Sequence, residues 1–167
     1  MSLFVLDVET TGLSPGIEDR IIEIGAVAIQ ERAIVAEFES LIYVKKSIPL
    51  LVQHIHGITN AMFIGKPEPK EVFPRFREFI GNSILVAHNA QFDIRFLQYE
   101  FGRLRLGLNN RYFCTLEMSR KLFPELENHK LYTVAKHVLV GVPENLHLHR
   151  ALDDARLTAM IWMENGR

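Results

Sequence analysis

Cysteine is almost absent from this chain, which has a single one, Cys114, among 167 residues. One thiol cannot form an intramolecular disulfide framework, and it excludes a zinc site built on cysteines. It fits a reducing compartment. Long apolar runs are also missing: no stretch reaches the roughly 20 residues that a membrane span needs, and Met1-Ser2-Leu3 carries no basic signal-peptide head. We therefore expect a cytoplasmic protein without a membrane partner.

An excess of charge of one sign is missing as well. The 19 basic and 20 acidic residues give a formal net charge of −1. No global positive field is available to hold a long nucleic acid, so any contact with one must be local. With 48% hydrophobic residues the chain is long enough for one sizeable core, and we expect a single domain over residues 1–167.

What the sequence does contain is a strongly apolar strand that carries two acids near its end. In the run from Leu3 to Gly12, alternation puts Asp7 and Glu9 on the same face as Val5. Both faces are apolar before the acids, which predicts a central strand covered on both sides, with the acids at its carboxyl end, where α/β sheets collect ligands. Two such charges repel each other unless a hard cation binds them. The alternative is an ordinary strand exit into solvent.

The remaining pattern predicts a mixed α/β fold with helices on both faces of the sheet. Two strands, 20–29 and 33–44, are expected to form a hairpin beside the first strand. The expected elements after them are a turn and short helix at 48–59, an amphipathic helix at 71–80, a buried strand at 84–87, a helix that carries Phe96 and Phe101, a short strand at 112–114, helices at 115–122 and 131–139, and a last helix from about 149 to 162.

Two further acids fall where they can meet the first pair. Asp93 follows the buried strand, in the first turn of a helix, where the helix dipole favours a carboxylate. In the last helix the apolar stripe around Ala151 and Ala155 predicts Asp154 beside the sheet and Asp153 pointing to solvent. His149 is expected at or before the start of that helix, overhanging the acids.

Three segments of the chain together resemble a known family: Asp7-Val8-Glu9-Thr10-Thr11-Gly12, His88-Asn89-Ala90-Gln91-Phe92-Asp93 and His149-Arg150-Ala151-Leu152-Asp153-Asp154. They are similar to the exonuclease motifs of the DEDDh branch of the DnaQ-like family. Arg20 to Val27 and His56-Gly57-Ile58-Thr59 resemble further family stretches, and the chain is most similar to the proofreading exonuclease (epsilon) subunit or domain of bacterial DNA polymerase III. This implies a ribonuclease H-like fold with a five-stranded mixed sheet, and 3′ to 5′ exonuclease activity that releases 5′-mononucleotides from DNA.

Carried over by position, the family's four acids fall on Asp7, Glu9, Asp93 and Asp154, and its histidine falls on His149. The resemblance implies two divalent cations, Mg²⁺ or Mn²⁺, with Asp7 as bridging ligand. Glu9 and Asp154 would share the ion that activates the nucleophile, and Asp93 would serve the second. His149 would be the general base, since an imidazole with its ordinary pKa near 6.5 suits that role.

The resemblance also implies a substrate-binding set: Thr10, Thr11, Gly12, Leu13, His56, Asn89 and Phe92. Leu13 or Phe92 would pack on a base without reading it, because every base has a π face; Phe92 as a plain core residue is the alternative. Five arginines, at 95, 103, 105, 111 and 150, are either phosphate contacts or ordinary surface.

Other functions stay open on the sequence. His54-Ile55-His56 and His147-Leu148-His149 could bind zinc with a carboxylate if they lay on strands. An RNA-trimming exonuclease of the same family is a second alternative, because no residue is tied to a 2′-hydroxyl. A catalytically silent module that binds strand ends or scaffolds a polymerase is a third, and the complete set of four acids and one histidine argues against it.

The implied partners are single-stranded or frayed 3′ ends of DNA and a DNA polymerase catalytic subunit. The chain ends soon after its last helix, at Glu164-Asn165-Gly166-Arg167, whereas the subunit that it resembles carries a further tail. A stand-alone nuclease, a short polymerase-bound subunit and a fragment of a longer protein all remain compatible with the sequence.

Overall fold

The computed structural model describes residues 3–143 and 146–165. Five strands form one mixed sheet in the order β3-β2-β1-β4-β5. β1 to β3 form an antiparallel meander, and β4 and β5 run parallel to β1. The strands are β1 (Leu3–Thr10), β2 (Ile21–Gln30), β3 (Ala33–Leu41), β4 (Ile84–Ala87) and β5 (Tyr112–Cys114). The five-stranded mixed sheet expected from the sequence is confirmed.

Helices lie before, between and after the later strands: α1 (Leu50–His56), α2 (Pro69–Ile80), α3 (Ala90–Arg103), α4 (Thr115–Leu122), α5 (Leu131–Val138) and α6 (Ala151–Asn165). Two predicted bounds were wrong by three residues, and several others differ by one or two. The third strand ends at Leu41 because the backbone of Tyr43 turns away to bond Pro67, and the last helix continues past Trp162 because that side chain and Met163 still pack on the sheet. None of the described helices is long and apolar enough to cross a membrane.

The central strand β1 is covered on both faces, as its alternation predicts. Leu6 packs with Phe76 of α2 and Phe101 of α3, in the larger core cluster. On the opposite face, Val5 packs with Leu152 of α6. Complete burial of a side chain such as Val5 or Leu6 stabilises the fold by about 1.5–3 kcal/mol. Asp7 and Glu9 share the face of Val5, so they are directed to the side of the sheet that α6 covers.

One glycine lets α6 lie directly on that sheet. Gly25 of β2 pairs with Asp7 across the strands. A Cβ atom at Gly25 would overlap the backbone of Ala151 and Leu152, the first residues of α6. A glycine inside a strand marks such a close approach of another backbone. Its absent side chain therefore brings the start of α6 next to the acids of β1.

Candidate active site

Carboxylates from three elements meet at the carboxyl end of β1. Asp7 and Glu9 come from β1, Asp93 from the first turn of α3 and Asp154 from the first turn of α6. Burial raises the pKa of Asp7 well above its usual range, and the charges of Asp93, Glu9 and Asp154 raise it further. Asp7 therefore lies close enough to the other three carboxylates for their charges to act on it. The structure thus brings together all four acids that the motifs single out.

The tightest grouping joins Glu9, His149 and Asp154. Each offers one ligand atom, and these three atoms lie within 4.8 Å of one another. Burial, followed by the charge of Asp154, raises the pKa of Glu9 to about 9. Burial also raises the pKa of Asp154 to about 6, although the backbone N–H of His149 and the His149 ring oppose the shift. Both carboxylates are therefore costly to keep charged without a cation.

Asp154 also has an unused ligand atom. Its Oδ2 accepts the backbone N–H of His149 at 3.0 Å, whereas its Oδ1 is buried without a hydrogen-bond partner in the described chain. A buried acceptor without a partner costs about 1–3 kcal/mol. Oxygen ligands suit hard divalent cations such as Mg²⁺ and Mn²⁺. The donor set around this atom therefore fits a divalent cation.

Asp93 is held in place by a hydrogen bond from the backbone of β1. Its Oδ1 accepts the backbone N–H of Val8 at 3.2 Å, and burial raises its pKa well above the usual range. Of the described residues, Asp7 and Asp93 are not members of the 4.8 Å group around Glu9. They form the adjoining part of the same acidic cluster, because the charges of Asp93, Glu9 and Asp154 all act on Asp7.

His149 lies outside α6, as expected, and is held there by its neighbours. It is exposed and has a left-handed backbone with φ of 63°. The next residue, Arg150, donates three hydrogen bonds of 2.6–3.2 Å to Glu23, and the N–H of Ala151 donates a fourth at 3.0 Å. Glu23 is completely buried. This pair fixes the start of α6, so Arg150 anchors the helix and is not ordinary solvated surface.

Asp153 lies away from the acidic cluster, but the expectation that it points into solvent was wrong. Only 14% of its side chain is exposed, because its carboxylate forms an ion pair with Arg156 at 2.9 Å. It also accepts the backbone N–H of His147 at 2.9 Å. Arg156 bonds in turn to Glu37 of β3 at 2.6 Å. Adjacent acids therefore have different tasks: Asp154 serves the site, and Asp153 ties α6 to β3.

The loop after β1 presents two large apolar side chains to solvent, Leu13 and Ile17. Leu13 is 78% exposed, and its carbonyl accepts a hydrogen bond from Arg95 of α3 at 2.8 Å. Thr10 Oγ1 donates to the carbonyl of Gly12 at 2.6 Å. The backbone is therefore held in place while the side chain of Leu13 stays free to meet a ligand.

A buried acid holds this loop from inside. Asp19 accepts the backbone N–H of Ser14 at 3.0 Å and the hydroxyl of Thr11 at 3.3 Å, and Lys46 pairs with it at 2.7 Å. The α-carbon of Gly12 rests against the same carboxylate so closely that a Cβ there would overlap it. The sequence reasoning did not identify Asp19, since its partners are assembled only by the fold.

The remaining predicted substrate residues border the same region. His56 is buried at the end of α1; burial lowers its pKa, and nearby His149 and Arg150 lower it further. Asn89 is exposed and adopts a left-handed conformation before α3. Phe92 is half-buried, with its ring 4.9 Å from that of Phe96. The alternative that Phe92 is a core residue is thus partly correct, since one side of it packs inward.

The zinc alternative is not supported by the geometry. His54 and His56 lie on helix α1, where residues two apart point in different directions, and His54 is exposed while His56 is buried. Among the described residues, the one grouping with metal-ligand spacing contains His149 alone of the histidines.

The sequence comparisons agree with this geometry. Residues 4–162 match the RNase_T exonuclease family. DNA polymerase III PolC-type of Clostridium perfringens is 42% identical over 157 residues, which cover 94% of this chain and 11% of that protein. The chain thus spans about a tenth of the length of such PolC-type relatives. DNA polymerase III subunit epsilon of Aquifex aeolicus is 37% identical over 165 residues, covering 96% of this chain and 78% of that protein.

Solved structures show the same fold. Exonuclease X, in complex with 5′ overhanging duplex DNA, superposes with a TM-score of 0.77 at 32% identity, over 96% of this chain and 89% of that one. The ribonuclease H-like fold of the DEDDh exonucleases is also recovered at lower identity. The chain therefore belongs to the exonuclease family, and both the resemblance indicated by its three motifs and the class of enzyme that it implied, a 3′ to 5′ exonuclease, are confirmed.

Proposed function

We propose that this chain hydrolyses DNA from the 3′ end to 5′-mononucleotides, in a metal-dependent reaction that serves proofreading or repair. Two observations on Asp154 carry the proposal: it groups with Glu9 and His149 at metal-ligand spacing, and its buried Oδ1 has no hydrogen-bond partner in the described chain. DNA as substrate is favoured because the relatives above 30% identity are named DNA polymerase III components, and exonuclease X is described in complex with DNA.

In this proposal Asp7, Glu9, Asp93 and Asp154 hold two divalent cations, Mg²⁺ or Mn²⁺. When bound, such ions stabilise the attacking and leaving oxygens of an in-line displacement at phosphorus. The acids suit this task because burial raises the pKa of each of them in the metal-free protein, and the charges of the other acids raise the pKa values of Asp7 and Glu9 further. Added positive charge relieves that repulsion, so binding energy is available from the folded site itself.

His149 is assigned the proton transfer. Its ring reaches within 4.8 Å of carboxylate oxygens of Glu9 and Asp154, so a water molecule between them lies within one hydrogen bond of the imidazole. The ring takes the proton of that water as it attacks the terminal phosphodiester. The Glu23–Arg150 pair keeps the ring in position, since it fixes the residue that follows His149.

The terminal nucleotide is assigned to the loop after β1. The backbone of Thr10, Thr11 and Gly12 faces the sugar and phosphate, and the exposed side chain of Leu13 packs on the base without reading it. His56, Asn89 and Phe92 border the same nucleotide. Such contacts carry no sequence preference, which suits an enzyme that must remove any 3′ nucleotide.

A DNA polymerase catalytic subunit is the proposed partner. In PolC-type relatives the matching segment is 11% of a much longer polymerase chain, and the epsilon relative is a DNA polymerase III subunit by name. With a net charge of −1, this chain has little positive electrostatic potential with which to retain DNA by itself. A partner that holds the duplex would supply the missing affinity through effective concentration.

The test is hydrolysis of a 5′-fluorescent single-stranded DNA 20-mer with Mg²⁺, Mn²⁺ or excess EDTA, beside an RNA of the same sequence. We expect a ladder that shortens from the 3′ end, 5′-mononucleotide products, faster loss of DNA than of RNA and no cleavage in EDTA. Undiminished cleavage in EDTA, or products with 3′-phosphates, would contradict the metal-dependent mechanism. Faster hydrolysis of the RNA than of the DNA would show that DNA is not the preferred substrate and would favour an RNA-trimming exonuclease instead.

A further inference from the structure

A cavity of about 710 Å³ lies between the loop that follows β1, the start of α2 and the end of α3. Its walls come from that loop, the chain after β3, the start of α2 and the end of α3. Five of its lining side chains are basic: Arg20, Lys45, Lys46, Lys70 and Arg103. In a chain with a net charge of −1, this is a local concentration of positive charge of the kind that a nucleic-acid contact requires.

Three of these cations are held by carboxylates and form the walls: Arg20 with Glu100 at 2.7 Å, Lys46 with Asp19 at 2.7 Å and Lys70 with Glu68 at 2.9 Å. Lys45 and Arg103 differ from them. Neither has a carboxylate within 4.0 Å in the part of the chain that the structure describes, and both are exposed. Two cations are therefore available to an anionic ligand.

The cavity is joined to the active site through two reciprocal backbone contacts. The N–H of Arg20 donates to Thr11 Oγ1 at 3.0 Å, and the N–H of Thr11 donates to the carbonyl of Arg20 at 2.9 Å. Thr11 follows Glu9 by two residues, a span of at most about 7 Å. A strand whose 3′ end lies on the acids can thus reach the cavity with its next nucleotides.

The lining also includes surface on which a base can stack. Tyr43 is one of the lining residues, with Leu104 and Pro69 as apolar neighbours; its side chain is half-buried, and its ring packs against Phe63. Grooves that hold single strands without sequence preference combine basic side chains that follow the backbone with aromatic rings that stack on bases. The cavity contains both, and its volume is within the roughly 300–1,000 Å³ of small-ligand sites.

We propose that this cavity holds the nucleotides upstream of the terminal one, with Lys45 and Arg103 on their phosphates. The inference rests on the proposed function, because it takes the 3′ end to lie on the acids. It deepens that function by naming the substrate: a single strand of several nucleotides, bound at two places, of which the acids hold only the end. Upstream contacts raise affinity for the strand and leave the chemical step unchanged.

The test compares two substrates that differ in length. One is a fluorescent (dT)20 strand, and the other is the p-nitrophenyl ester of thymidine 5′-monophosphate, which has no upstream phosphate. For Lys45→Ala/Arg103→Ala we expect KM for the strand to rise about tenfold or more, with kcat unchanged, and kinetics with the ester to match those of the original chain. The salt dependence of strand binding, as a log–log slope, should fall by about 1.4 for two lost contacts.

The matched control is Arg32→Ala/Lys121→Ala, which removes the same charge at exposed positions outside the cavity. It should leave both the strand KM and the salt slope within twofold. Restoring charge with Lys45→Arg/Arg103→Lys should recover strand affinity, and thermal melts establish that each variant is folded. Equal loss on both substrates, an unchanged strand KM, or equal effects of the control would overturn the proposal.

Strand binding measured by fluorescence anisotropy, with Ca²⁺ in place of Mg²⁺, separates this inference from the proposed function. If the original chain binds the strand through Lys45 and Arg103 but cleaves neither substrate, the cavity proposal holds and the proposed exonuclease function is wrong. If the chain cleaves both substrates but all variants bind the strand equally well, the exonuclease function holds and the cavity proposal is wrong.

Discussion

Arg150 and Glu23 are 127 residues apart in the sequence, yet they form three hydrogen bonds of 2.6–3.2 Å at the joint between α6 and β2. Glu23 is completely buried, and 34% of the arginine side chain is exposed. The pair lies directly after His149 and beside Glu9, which is opposite Glu23 in the sheet. It therefore connects the fold to the position of the proposed general base, His149.

Substitution of Arg150 should lower both the stability of the fold and the activity that depends on His149. Arg150→Met leaves the buried Glu23 charge without its partner, so we expect a loss of about 1–3 kcal/mol of stability, between the values for surface and buried pairs. kcat should fall at least tenfold because His149 loses its fixed neighbour. Arg156→Met is the matched control: its pair with Glu37 is more exposed, and it should cost under about 1 kcal/mol. Equal melting temperatures and equal kcat for the two variants would contradict the anchor.

Gly25→Ala tests the direct contact between β2 and α6. The new Cβ would overlap the backbone of Ala151 and Leu152, so α6 must shift, at a cost of about 1–3 kcal/mol or more. Activity should fall with stability because Asp154 moves with the helix. Gly102→Ala, in α3 with open space around it, should be neutral or stabilising by up to about 1 kcal/mol. Thermal melts and kcat of both variants provide the measurement.

Local pattern was sufficient for much of this molecule. Alternation along β1 predicted the shared face of Asp7 and Glu9, and the helical stripe predicted that Asp154, rather than Asp153, faces the sheet. Those signals are local because periodicity records which side of an element is buried. The roles of Glu23, Asp19 and Gly25 could not be found in this way, since each depends on a partner brought near by the fold. The ion pair of Asp153 was missed for the same reason.

Two of these positions did carry a readable signal. Glu23 interrupts the apolar run of β2, as Asp7 interrupts that of β1, and a buried acid needs a partner. Gly25 interrupts the same strand, and an interior glycine indicates close approach of another backbone. The partner of each, however, lies at the start of α6 or directly before it, more than 120 residues away.

The stability of the metal-free protein should depend on pH through Glu9. Its pKa is raised from 4.5 to about 9, so the folded state favours the protonated form. The resulting stability is complete below pH 4.5 and is lost as the pH rises towards 9. Glu9→Gln should therefore melt like the original chain below pH 4.5 in EDTA, and increasingly above it as the pH rises to 9. A difference in melting temperature that is constant between pH 6 and pH 9 would refute the raised pKa.

His149→Ala should separate proton transfer from metal binding. We expect kcat to fall by roughly 10²–10⁴-fold, the usual loss for a positioned base, while Mn²⁺ binding, measured by calorimetry, stays largely intact. His147→Ala is the control, because His147 contacts Asp153 only through its backbone N–H. If both variants lost activity equally, the assignment of the base to His149 would be wrong.

The adjacent acids of α6 offer the sharpest comparison. Asp154→Asn keeps the shape of the side chain but removes a charge from the cluster, so activity should nearly vanish and Mn²⁺ binding should weaken. Its melting temperature in EDTA at pH 7 should rise, because the pKa of Asp154 is raised to about 6, and the original chain therefore carries an unfavourable charge at that pH. Asp153→Asn should stay active and lose under about 1 kcal/mol, since it weakens a partly exposed pair with Arg156. An inactive Asp153→Asn beside an active Asp154→Asn would show that the ligand has been assigned to the wrong acid.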